Sequence, residues 1–243
     1  MKRSTILLSS VTFLLLLACE KEKGDTEGLA AKSPVAQELK REDMPLLPLK
    51  KGDYWKYNIS VEVPAGITSE GASAVELDQE KIRTYVGKVK VAENLPETDA
   101  FDVKMEGEPV QRELVEIGDD RVMMRGNTFP EMLDAKPMWL DPAIPFVIAG
   151  VRPGQEMTKL SAQDGARKRG IKVVAREKIT VPAGEYKSIR LLMTGNDGKF
   201  ELRRTIWFAP GIGIVKEEKT RYVGEKLIFR ETTELRETSL KGR

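Results

Sequence analysis

The sequence contains no histidine among its 243 residues and only one cysteine, Cys19. Imidazole is the usual proton acceptor near neutral pH and a leading ligand for zinc and copper, so a histidine-based triad, dyad or metal site is excluded. A single thiol allows no internal disulfide. An excess of one charge is also missing: 40 Lys and Arg face 38 Asp and Glu, a formal net charge of +2. Removing residues 1–18 takes away Lys2 and Arg3 and no acid, which brings the balance to zero. Nucleic-acid binding rests on a basic excess and counterion release and has no support here. Neither a phosphate-binding glycine loop followed by lysine nor a Gly-x-Ser-x-Gly elbow occurs, and helical periodicity is almost absent. With 40% hydrophobic and 32% charged residues, the chain has the composition of a soluble globular domain.

The N-terminus is of a different kind. Lys2 and Arg3 precede the apolar run Ile6 to Leu17, which is too short to span a bilayer as a mature helix. Residues 1–18 therefore read as a signal peptide. Its end, Leu16-Leu17-Ala18-Cys19, resembles the lipobox of bacterial lipoproteins. That resemblance implies acylation of the Cys19 thiol, cleavage before it and acylation of the new amine. Two or more chains give stable anchoring, at about 0.8 kcal/mol per buried methylene. Cys19 is then an anchor rather than a nucleophile, and the membrane is a partner through its lipid. Residues 19–44, rich in Lys, Glu, Gly and Ala, form a tether spanning on the order of 25–30 Å as a flexible coil, with a short helical stretch expected from Ser33-Pro34 to Arg41. Glu20 is not the aspartate associated with inner-membrane retention in some bacteria, which points to the outer membrane, facing the periplasm.

From residue 45 to 238 the chain reads as a single antiparallel β domain. Trp55, Tyr57, Ile59, Val61 and Val63 alternate with Lys56, Asn58, Ser60 and Glu62, the pattern of a half-buried strand. Further runs over 81–93, 101–105, 110–117 and 121–129 follow, the last pair joined by a turn at Gly118-Asp119-Asp120. A second meander occupies 171–235. Ile171, Val173, Ala175, Ile179 and Val181 are expected on one face, Asn196-Asp197-Gly198 is a hairpin turn, and Pro210-Gly211 a type II turn. Between the meanders, Pro137, Pro142 and Pro145 interrupt Met138, Trp139, Leu140, Ile144, Phe146 and Val147. Prolines at that density argue against a ladder strand, so 137–148 is expected as an irregular lid. The fold class expected is mainly β: a curved antiparallel sheet, a half-barrel or open barrel of roughly nine to eleven strands.

Three motifs occur together: Pro48-Leu49-x-x-Gly52-x-x-Trp55-x-Tyr57, Val181-Pro182-Ala183-Gly184-x-Tyr186, and Trp207-Phe208-Ala209-Pro210-Gly211-Ile212-Gly213-Ile214-Val215-Lys216. Their combination, spanning Leu46 to Leu235, resembles a loosely defined group of bacterial envelope lipoproteins. The resemblance implies a curved half-barrel similar to the periplasmic lipoprotein carriers and attaches no catalytic residue to the motifs.

Candidate chemistry is sparse. Asp119-Asp120 sits in a turn, and adjacent acids are expected by chance in so charged a chain. Arg167-Lys168-Arg169 reads as a solvated loop. No metal or cofactor is expected. Trp55, Tyr57, Trp139, Phe146 and Trp207 are the residues best suited to line the concave face, which must be filled, plugged or occupied. The function expected is that of a non-enzymatic, membrane-anchored envelope lipoprotein binding an apolar ligand or a protein partner in that face. The alternatives are a structural or assembly component of the envelope with no small-molecule site and, third, a carboxylate-based hydrolase.

Overall fold

A computed structural model describes residues 46–65, 75–129, 136–161, 168–196 and 199–240. The signal peptide, Cys19, the tether with its expected helical stretch, and the tip of the turn at Asp197-Gly198 lie outside the described residues. Among the described residues twelve strands follow one another: β1 (Tyr54–Val63), β2 (Val75–Val89), β3 (Thr98–Met105), β4 (Glu108–Ile117), β5 (Arg121–Thr128), β6 (Met138–Ile148), β7 (Glu156–Ser161), β8 (Lys168–Val181), β9 (Gly184–Asn196), β10 (Glu201–Ala209), β11 (Gly213–Val223) and β12 (Lys226–Thr238). They form one antiparallel sheet in the order β6-β5-β4-β3-β2-β1-β12-β11-β10-β9-β8-β7. Every sequence-adjacent pair is also a neighbour in the sheet except β6 and β7, and β1 pairs with β12 instead. The two edge strands lie close without a ladder between them, so the sheet is a nearly closed barrel with one seam.

The expected turn at Pro210-Gly211 has the geometry its residues suggest. Gly211 has φ +80°, and the Ile212 N–H donates to the Ala209 carbonyl at 3.0 Å. The lid expected over 137–148 is instead strand β6, paired with β5. Proline removes a ladder donor, but an edge strand needs donors on one side only, and register shifts at Val122/Met123 and Met124/Gly126 absorb the irregularity. A second correction concerns β8. A shift between Val173 and Ala175 reverses the alternation, so Ile171 and Val173 join one apolar cluster whereas Ile179 and Val181 join the other.

The concave face is filled at one end. Trp55, Tyr57, Phe101, Val115, Val215 and Leu235 are buried together there, and Trp55 meets Phe101 edge-on at 5.6 Å. The neighbouring cluster holds Ile189, Leu191, Ile206, Phe146 and Phe208, the last two also edge-on, at 6.3 Å. Leu46 and Leu47, just before β1, are buried in that cluster. Leu46 donates its N–H to the Asp119 carbonyl at 3.2 Å and accepts one from Gly211 at 2.9 Å, which ties the incoming chain across two turns at this end.

Candidate functional site

Beyond the aromatic layer the same inner face becomes charged. Register puts Tyr57 opposite Lys81, Trp55 opposite Arg83, and Ile59 opposite Thr233, with Thr233 in turn opposite Glu217. One step further out, Arg204 faces Lys219, and Lys219 faces Glu231. Side chains two apart on a strand share a face, so these polar groups occupy the positions that hold apolar residues at the other end.

The contacts form a network. Arg204 grips Glu217 with two bonds, Nε to Oε1 at 2.6 Å and a second at 3.0 Å, and Lys219 approaches the same carboxylate at 3.3 Å. Lys219 also donates to Glu231 at 2.6 Å. Across β3, Arg83 Nε donates to Glu113 at 2.7 Å while its guanidinium lies 3.5 Å from the centre of the Phe101 ring. Glu217 is 1% exposed. Burial opposes its ionisation, yet Arg204, Lys219 and Lys81 hold its carboxyl well below the usual range. Glu113 follows the same pattern: burial is outweighed by Arg83, Lys81 and Arg204. Burial pushes the Tyr57 phenol up, and its O–H donates to the Ile214 carbonyl at 3.0 Å.

Lys81 differs from its neighbours. Among the described residues it has no ion pair; its ammonium lies 5.7 Å from the centre of the Tyr57 ring. Burial, followed by repulsion from Lys219, lowers its pKa, and Glu217, Glu113 and Glu231 compensate only in part.

The five residues expected to line the concavity divide between the two faces. Trp55, Tyr57 and Phe146 point inward and are buried. Trp207 shares a row with Lys216, Glu234 and Asn58, on the face opposite Tyr57. There its indole N–H donates to Glu177 at 2.7 Å, and it packs with Ile179, Val181 and Tyr186. Trp139 is in register with Gly126 and through it with Leu114, the face opposite Glu113, and the Arg125 guanidinium lies 5.3 Å from its ring. Asp119 and Asp120 remain turn residues, with Asp120 paired to Arg121 at 2.8 Å.

No family model matches the chain, and no curated protein matches it. Two crystal structures are similar. One, from Bacteroides fragilis NCTC 9343, is described as that of an exported protein with a YmcC-like fold; it is 12% identical, covers 81% of this chain and 99% of its own, and has a TM-score of 0.45. The other, from Parabacteroides distasonis ATCC 8503, is described as that of a lipoprotein; it is 14% identical, covers 82% of this chain and 100% of its own, and has a TM-score of 0.43.

Outside the barrel, a shallow groove over β9 to β12 is lined by Arg203, Thr205, Thr220, Tyr222, Arg230 and Thr232. Its cations are already engaged, Arg203 by Glu201 at 2.7 Å and Arg230 by Glu62 at 3.0 Å. Among the described residues no group of three or more acids, cysteines or histidines is placed to hold a metal. The inner charged network is therefore the better candidate. Sequence reading missed it, although parity carried a signal: Lys81 and Arg83 are four and two positions before Tyr85, and Arg204 is two before Ile206.

Proposed function

We propose that this protein is a non-enzymatic lipoprotein of the bacterial envelope, moored by acyl chains on Cys19 and acting through binding at the charged half of its concave face. The mooring is supported by Lys2-Arg3, the leucine run and Leu16-Leu17-Ala18-Cys19, and Glu20 favours the outer membrane. The observation that carries the binding role is the division of the inner face. One half is sealed by its own aromatics, whereas the other keeps a set of buried and half-buried charges whose bases outnumber its acids.

A wholly apolar ligand finds little support, because Trp55, Tyr57 and Phe146 are enclosed by the protein's own side chains. A carboxylate hydrolase is disfavoured as well. A general acid needs a carboxyl raised towards neutrality, but Glu113 and Glu217 are both lowered.

Replacing Cys19 with serine tests the mooring. Wild-type protein should sediment with membranes and incorporate labelled palmitate, whereas Cys19→Ser should do neither; undiminished membrane association of the variant would overturn the lipoprotein reading.

A further inference from the structure

We infer that the charged half of the concave face is a receptor for one anionic oxygen group, a phosphate or carboxylate, seated between Lys81 Nζ and Thr233 Oγ1. The inference rests on the binding role proposed above and is independent of the mooring.

Two observations converge on it. The network holds four bases, Lys81, Arg83, Arg204 and Lys219, against three acids, Glu113, Glu217 and Glu231. Each acid is paired at 3.3 Å or less, and Lys81 is the base left without an ion pair among the described residues. Glu108 shares its row through Met105 but is exposed at the rim. Separately, Thr233 is 1% exposed, and its hydroxyl has no hydrogen-bond partner among the described residues. A buried hydroxyl without a partner is costly, and such groups are nearly always satisfied by protein, water or ligand. Lys81 and Thr233 lie on the strands flanking β1, opposite Tyr57 and Ile59 respectively, two successive inward positions. Both therefore turn toward the inside of the curve beside Glu217, which feels the Lys81 charge directly. An anionic oxygen placed there would neutralise the surplus cation and accept from the hydroxyl. A second anion would meet no further unpaired base of the network among the described residues.

The test uses the whole protein as the cell produces it, in a non-ionic detergent, titrated calorimetrically with inorganic phosphate, acetate and dihexanoyl phosphatidic acid. Saturable binding of one equivalent of at least one probe is expected. Lys81→Met should weaken it about tenfold or more, as loss of a charge-assisted contact does. Thr233→Val should weaken it by a smaller factor, and Lys81→Arg should retain most of it. Binding of phosphate as tight as that of phosphatidic acid would identify a free anion, whereas binding of the lipid alone would identify a headgroup. Lys81→Met and Thr233→Val stay close to the volume of the native side chains, and near-ultraviolet circular dichroism verifies folding of all three variants. Absence of saturable binding by all three probes, or equal binding by wild type and Lys81→Met, overturns the inference.

Discussion

Glu217 is ionised where water scarcely reaches it, and this has a measurable consequence. A carboxyl whose pKa is lower in the folded than in the unfolded chain stabilises the fold fully above the unfolded value, about 4.3 for Glu, and progressively less as pH falls below it. Its ion pairs with Arg204 and Lys219 place Glu217 in this class. Denaturant unfolding followed from pH 7 to pH 3 should therefore show stability falling below about pH 5. Glu217→Gln should cost about 3–5 kcal/mol at pH 7, the usual effect of removing one partner of a buried pair, and should flatten the acid limb. A variant as stable as wild type at pH 7, with an unchanged acid limb, would show that the pair contributes nothing. At this scale the sequence was only partly legible. Trp55 and Tyr57 announce themselves as inward residues by size and alternation. Lys81, Arg83, Arg204 and Glu217 obey the same alternation, but charge normally marks the solvent side, and only the closing of the sheet turns these positions inward.

At the scale of the strand, β6 depends on a single missing side chain. Gly126 has φ +142°, and a methyl group placed there would lie 1.7 Å from the Met138 carbonyl oxygen, an atom of the partner strand's backbone. Gly126→Ala should thus push β6 off β5 and cost about 1–3 kcal/mol or more. Hydrogen exchange should rise first in 121–128 and 138–148, ahead of the other strands; uniform protection in the variant would contradict this. The lid expectation failed here for a related reason. Proline density argues correctly against a central strand, but it carries no information on whether a strand lies at an edge, where the missing donors face away from the ladder. The reversal in β8 was equally hidden, since a one-residue shift at Val173/Ala175 leaves no mark in composition. By contrast, the antiparallel course of both meanders followed directly from period-two runs and their Gly, Pro, Asn and Asp breaks.

For the molecule as a whole, the decisive pairing is that of β1 with β12, which joins six strands on one side to six on the other. Ending the chain before Lys226 would remove β12 and leave β1 and β11 as open edges. Such a truncation should lose cooperative unfolding and aggregate, as exposed strand edges do. A truncated protein that still unfolded in one sharp transition would refute this dependence on closure.

On the envelope location proposed above, that pairing also imposes an order of events on export. A chain threaded across a membrane from its amino end delivers β1 first and β12 last of the twelve strands, so the opening strand must wait, with one flank unmatched, until β12 has crossed. During that interval the cell must shield a half-built sheet, and a stalled export intermediate would be the form of this protein most exposed to chaperones and proteases.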